Sequence, residues 1–551
     1  MKIQSTFLQS LLLFYSVLSF PISCLAVSSQ EINSALLKEL SNYPQELLGT
    51  EWCNVDAKRQ ELWVSAVYND LDAQLLWVDD NGPNSKAKII FSTLKKVGPD
   101  GLNPEEYGVV PIESIWESRT AENLAKLDIY ISIGLLGYIH DMQEGRIAPN
   151  RTDPTLFDQA GCSTFDPVKA MFAARNNSDL EAYLAGLAPA HHYYRTLKQE
   201  LKHYRNIKDM GGWPLFLTGK TLHPGDFDKR VPVLRRMLVK NGDLISSANL
   251  QEQLYDDQLV EAVKRFQSRN GLEVDGVVGK GTTAVLIIPV EQRIQQILMN
   301  MERWRWTEHD LGNKYVVVDI AGYNLQGVVN DYTLLEMPVI VGKLQHETPV
   351  FSDSIKYVDF NPFWNITPSI AKKEMLAKLR EDSNYLASKH IKLFSNWQAD
   401  GIELDPLSID WDEVSRKRIG QFKLRQEPGA WNALGIVKFV FPNKYSIYLH
   451  DTPGRDLFDK TDRAFSHGCI RVSEPQQLAE FLLAANDIQW TEEAINNIVK
   501  SEKRKVVRLK DPIPIHMVYQ TAWVDKNGML HFSEDVYGRD KKLAAALFIE
   551  E

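Results

Sequence analysis

Ser466-His467-Gly468-Cys469-Ile470-Arg471-Val472 follows Tyr448-Leu449-His450-Asp451-Thr452-Pro453, so that a second histidine stands 19 positions before the cysteine. A free thiol has a pKa near ~8.5, and a sulfur that attacks a carbonyl at neutral pH needs a neighbouring base or cation to raise its thiolate fraction. Cys469 is the candidate nucleophile and His450 the candidate base. The alternating run Tyr445-Ser446-Ile447-Tyr448-Leu449 reads as a strand, which places His450 at a strand end, opposite a turn that carries the cysteine. Gly468 lets the backbone turn sharply, and the N–H groups of Gly468 and Cys469 can converge on the oxyanion of a tetrahedral intermediate. Asp451 is a candidate to orient the imidazole. A metal site built from His450, His467 and Cys469 lacks a clear fourth ligand and the paired Cys-x-x-Cys spacing of structural zinc, so neither a metal nor an organic cofactor is expected.

These two runs resemble the L,D-transpeptidase (YkuD-like) family, whose pattern is a histidine, a spacer, and a Ser/Thr-His-Gly run that ends in a cysteine close to an Arg or Asn. In that family the orienting partner of the histidine is often a backbone carbonyl rather than a side chain such as that of Asp451. The resemblance places His467 and Arg471 beside the nucleophile. Arg471 then either pairs with a stem carboxylate or holds the loop through a structural ion pair. Trp431, Tyr448 and Ser466 are the further candidates for the donor cleft, with plain packing as the alternative for Trp431 and Tyr448.

Working outward, the chain has room for about three domains at 551 residues. Residues 27–220 read as mainly helical, because Leu124, Leu127, Ile131, Leu135, Tyr138 and Met142 recur at spacings of three and four. Leu76-Trp77-Val78-Asp79, Asp100-Gly101-Leu102-Asn103-Pro104 and Gly145-Arg146-Ile147-Ala148-Pro149 are turn and capping signals there, similar to the scaffold domain of the larger, YcbB-like transpeptidases. Residues 221–289 form a small three-helix unit: Leu259, Val263 and Phe266 share a face, and Gln267, Asn270-Gly271-Leu272, Asp275-Gly276, Gly279 and Thr282 resemble a peptidoglycan-binding module.

Residues 290–551 are the candidate catalytic domain. A helix through Ile294, Ile297, Leu298 and Met301 leads into the strand-like runs Tyr315–Ile320 and Pro338–Val341. The resemblance implies a mostly β sandwich with flanking helices. Residues 369–425 interrupt it with charged, helical sequence, which in the YcbB-like subgroup caps the active site and otherwise is a tolerated surface insertion. Pro475 to Ala485 reads as a helix, and the run from Ile513 to Gly528 as a closing hairpin. The fold class is thus α+β and multidomain.

Met1 to Ala26 has the three-part form of a secretory leader, with cleavage after Ala26. An uncleaved anchor or lipidation at Cys24 are the alternatives, and no other segment is apolar enough to span a bilayer. Past the leader three cysteines remain, Cys53, Cys162 and Cys469. In an oxidising compartment Cys53 and Cys162 either pair or stay as buried thiols. The net charge of −10 and the absence of a basic run argue against nucleic acid as a partner.

The resemblance implies a periplasmic, wall-associated enzyme that forms 3→3 cross-links through a cysteine acyl-enzyme, releasing D-alanine from a donor tetrapeptide stem. Hydrolysis by the same residues, as an L,D-carboxypeptidase or an enzyme detaching wall-linked protein, is the second reading. A non-catalytic wall-binding scaffold is the third. Peptidoglycan stem peptides are the expected partners, and whether a glycan synthase or a D,D-carboxypeptidase works beside the protein is open.

Overall fold

The computed structural model describes residues 27–43, 59–152, 165–245, 249–484 and 490–548. The leader over 1–26 with Cys24, and both Cys53 and Cys162, lie outside the described residues.

The spacing of Leu124, Leu127, Ile131, Leu135, Tyr138 and Met142 folds as one helix, Ala121–Glu144, started by Thr120, whose hydroxyl accepts the Asn123 N–H. All six side chains are buried in the first core. Asp128 on this helix accepts the N–H groups of Leu76, Trp77 and Val78 and the Tyr68 hydroxyl, which pins the Leu76-Trp77-Val78-Asp79 turn. The short strands β1 (Val78–Asp79) and β2 (Gly82–Pro83) pair there. Burial pushes the Asp128 carboxyl up to about 6, and its four donors offset part of that cost.

The helix His192–Asp209, placed by the sequence in the first domain, packs in a different core. Tyr193, Leu197 and Leu201 from this helix meet Ile297, Met301 and Trp304 of the helix Val290–Arg305, and the Tyr193 and Trp304 rings stack at 4.8 Å. The second helix is therefore a strut shared by the helical region and the β domain. Its Arg303 pairs with Asp540 at 2.6 Å, and its Asn300 accepts the Thr521 N–H at 2.8 Å.

Between them, Val231–Lys240, Asp257–Arg269 and Lys280–Leu286 form a three-helix unit with its own core of Leu234, Leu238, Leu259, Val263 and Phe266. Gln267 donates to Asp275 at 2.7 Å and accepts the Gly276 N–H at 2.8 Å. The motif residues Gln267, Asp275 and Gly276 are thereby spent on the turn itself.

In the β domain the strands are β3 (Lys314–Asp319), β4 (Asn324–Val329), β5 (Tyr332–Gly342), β6 (Phe351–Phe360), β7 (Trp364–Ile366), β8 (Ile391–Phe394), β9 (Glu403–Leu404), β10 (Lys423–Gln426), β11 (Val437–Val440), β12 (Leu449–His450), β13 (Ala464–Ser466), β14 (Ile470–Val472), β15 (Lys505–Val518), β16 (Ala522–Val524) and β17 (Leu530–Phe532). Nine of them form one sheet in the order β13-β5-β14-β12-β11-β6-β15-β3-β4, and β4 pairs again with β5. The sheet thus closes on itself around a core that includes Val316, Val339, Phe439, Leu449 and Ile470, where a sandwich of two sheets was expected.

Residues 369–425 are not helical alone. Pro368–Ile370, a π-helical turn Ala371–Met375, Leu376–Glu381, Tyr385–Ser388 and Arg416–Ile419 supply the helical part, and β7, β10, β8 and β9 form a separate four-stranded sheet. Ile366, Leu376, Leu379, Leu393, Trp411 and Leu424 give the insertion its own core. The predicted hairpin also sits differently: residues 513–518 belong to β15 between β6 and β3, and the hairpin is β16 with β17 across Lys526-Asn527-Gly528. Pro475–Leu483 is the predicted helix on the flank. Among the described residues no helix is long and apolar enough to cross a membrane.

Candidate active site

Strand register lines up a polar row on one face of the sheet. Lys438 on β11 is paired with Asp359 on β6 and with His450 on β12, and His450 is paired with Arg471 on β14. Side chains alternate between faces along a strand, so Phe439, Leu449 and Ile470 enter the core, fully buried, while the polar row stands opposite. Cys469 directly precedes β14 and falls on the Arg471 side by the same alternation.

His450 is buried, and its Nδ1 lies 2.5 Å from the Asp451 carbonyl oxygen, to which the ring N–H donates. Nε2 then carries the free lone pair. Burial first, then the charges of Arg471 and Lys438, hold the imidazole down to about 3, so it is neutral at physiological pH. The Asp451 carboxylate does not orient it: Oδ2 accepts the Ile436 N–H at 2.9 Å and Oδ1 pairs with Arg455 at 3.0 Å. Gly435 makes room for this, since a Cβ there would stand 2.1 Å from Asp451 Oδ2.

Gly468 has φ +109°, a conformation side chains disfavour, and this turns the loop just before Cys469. The Ser466 hydroxyl closes the turn, accepting the Gly468 N–H at 3.0 Å and donating to the Cys469 carbonyl at 2.6 Å. Two expectations change as a result. Ser466 is committed to the loop rather than to a ligand, and the Gly468 N–H is already engaged, which leaves the Cys469 N–H as the open donor of the two. Thr348 adds a bond from its hydroxyl to the Gly468 carbonyl at 2.8 Å.

The Cys469 thiol is half-buried and lies 3.8 Å from the Ser446 carbonyl oxygen; it is not hydrogen-bonded to His450 in this state. Burial pushes the thiol up, while the Tyr448 N–H and hydroxyl, Lys438 and Arg471 pull it down. Residues 445–448 are not strand as expected. Ser446 takes φ +57°, and the Asn443 side chain accepts the N–H groups of Tyr445 and Ile447, so the segment turns and only Leu449 and His450 join the sheet.

Arg471 is half-buried, its Nε has no partner, and among the described residues no carboxylate forms an ion pair with it. Tyr448 carries the Lys438 ammonium over its ring, 3.7 Å from the centroid. Lys438 was missed in the sequence, where one lysine inside Val437-Lys438-Phe439-Val440 carries no signal beyond alternation. Trp431 is exposed and stacks on His390 of the insertion at 3.8 Å. His467 points outward, with Nε2 2.8 Å from Glu374 Oε1 on the π-helical turn of the insertion. A cleft of about 760 Å³ lies elsewhere, lined by Arg269, Glu336, Arg463 and Trp523.

Residues 313–512 match the model of the YkuD L,D-transpeptidase catalytic domain, a stretch that contains both His450 and Cys469. Residues 63–201 match a scaffold domain, and residues 228–286 a putative peptidoglycan binding domain. Over 252 residues the chain is 35% identical to a putative L,D-transpeptidase of Haemophilus influenzae; the match covers 46% of this chain and 49% of that protein, so the chain spans about half of that relative's length. Among solved structures, an L,D-transpeptidase from Mycobacterium smegmatis aligns at 14% identity over 37% of this chain and 58% of its own, with a TM-score of 0.17. One from Xylanimonas cellulosilytica aligns at 14% identity over 55% and 98%, with a TM-score of 0.17. Likenesses that slight carry no argument about function.

Proposed function

We propose that this chain is a peptidoglycan L,D-transpeptidase acting through a Cys469 acyl-enzyme in the periplasm. The observation that carries the reading is the grouping of a half-buried thiol, an open Cys469 N–H and an unpaired Arg471 on the sheet face that also holds a neutral His450. The match over 313–512 supports it independently.

In this reading the Cys469 sulfur attacks the carbonyl of the L,D amide after the third residue of a donor tetrapeptide stem. The thiol proton passes to His450 Nε2, whose ring is held by the Asp451 carbonyl through Nδ1. Charge developing on the carbonyl oxygen is met by the Cys469 N–H. His450 then gives its proton to the departing D-alanine amine, leaving a thioester. A side-chain amine of an acceptor stem attacks the thioester, His450 takes the proton, and a 3→3 cross-link is released with the thiol restored. The Arg471 guanidinium suits a stem carboxylate, because its fork has no internal carboxylate to satisfy. The 228–286 unit would hold the enzyme near its polymer and raise the local substrate concentration.

Incubation of the purified protein with tetrapeptide-bearing muropeptides, with products identified by mass, tests the reading. Cross-linked dimers lacking one D-alanine are expected. Tripeptide monomers alone would replace transfer with hydrolysis.

A further inference from the structure

We propose that Lys438 is a positioning residue for the nucleophile, its ammonium joining the Arg471 guanidinium in supplying the positive charge that a Cys469 thiolate requires. The proposal rests on Cys469 being the nucleophile and adds to it a residue outside the Ser466–Val472 run.

The geometry begins with register. β11 sets Lys438 across from His450, which is itself across from Arg471, so two cations flank the imidazole in one row. The Lys438 Nζ lies on the Tyr448 ring, and the Tyr448 hydroxyl and N–H border the thiol. Among the described residues Lys438 has no ion pair. Its cross-strand neighbour Asp359 is taken by Arg504, which holds both carboxylate oxygens at 2.9 Å. A half-buried ammonium resting on an aromatic ring is short of an anion. Burial pushes Lys438 down, and the charge on Cys469 is the strongest influence pulling it back up.

His450 cannot serve as the counter-ion, because an imidazolium would be buried between two cations. The nearby carboxylates are already engaged, Glu374 with His467 and Asp451 with Arg455. Ionisation of the resting thiol therefore breaks only the S–H bond, sends the proton to water, and leaves on sulfur a charge that Lys438 and Arg471 offset, while His450 takes a proton only transiently during acyl transfer.

The test is alkylation of Cys469 by iodoacetamide, a neutral reagent, followed across pH on the full chain by the mass of the peptide holding His467-Gly468-Cys469. Lys438→Met should raise the midpoint by about one pH unit, the smaller end of what a lost opposite charge does. Lys438→Arg should restore most of it. Asp359→Asn, which removes an anion and frees Arg504, should move the midpoint the other way, and it keeps the proposal testable if the methionine variant does not fold. Unmoved midpoints in these folded variants overturn the proposal. So does a higher KM with an unmoved midpoint, which would make Lys438 a binder of substrate carboxylate. Failure of the unaltered protein to form an acyl adduct with donor stems would instead overturn the nucleophile reading, and it is scored separately.

Discussion

Glu374 of the insertion stands 2.8 Å from the Nε2 of His467, two residues before Cys469. This contact ties a 57-residue excursion, with its own sheet and core, to the loop that carries Cys469. π-Helical turns are rare and concentrate at functional sites. If the insertion is a cap, Glu374→Ala should speed hydrogen exchange over residues 369–425 in the free protein, and acylation of the unaltered protein should slow it. Equal exchange in all three states would leave a surface insertion with no gating role.

Cys469→Ala should abolish cross-linking while leaving the thermal transition within a few degrees of the parent. Carbapenems offer a strained acyl group, and the unaltered protein should gain the mass of one intact carbapenem on the peptide containing Cys469, persisting over hours. Rapid loss of the adduct points to a hydrolase. No adduct on the folded protein points to a wall-binding scaffold.

His450→Gln should slow turnover by ~10²- to 10⁴-fold, the usual range for a lost general base. It should also alter acid stability. The imidazole is held at about 3 in the folded chain against an ordinary value near ~6.5, so its contribution is fully present above pH ~6.5 and is lost as pH falls toward 3. Between pH 7 and pH 5 the parent should lose about 2 kcal/mol that the variant keeps. Urea melts at the two pH values measure this, and equal losses would refute a neutral buried His450.

Gly468→Ala forces a Cβ onto a backbone at φ +109° and within 3.2 Å of Ile447 Cδ1. Strain of that kind costs ~1–3 kcal/mol. Turnover should fall far more than stability, since the loop relaxes by moving the Cys469 N–H. A fully active variant would show that the loop geometry does not matter to the chemistry.

The helical half was legible because its signal is local: six apolar residues of Ala121–Glu144 at spacings of three and four specify one buried face. The runs around His450 and Cys469 stood out because chemistry restricts which residues suit a base and a nucleophile. What the sequence hid was long-range. β7, β8 and β10 come from segments tens of residues apart and pair only after the chain returns, so charged turns between them read as helix. Lys438 gains meaning only through its register with His450. Residues 445–448 alternate like a strand, yet the Asn443 side chain binds the backbone donors that a strand would have offered to its neighbour.

The second pairing of β5, with β4, has a consequence beyond geometry. An open sheet presents a bare strand at each side, a template on which another chain can add itself. Here eight strands form a ring, and the strand attached outside it in the same sheet, Ala464–Ser466, is only three residues long. The ring strands thereby offer a second copy of this chain no bare edge to add to, and no surface charge has to be spent there on repelling it.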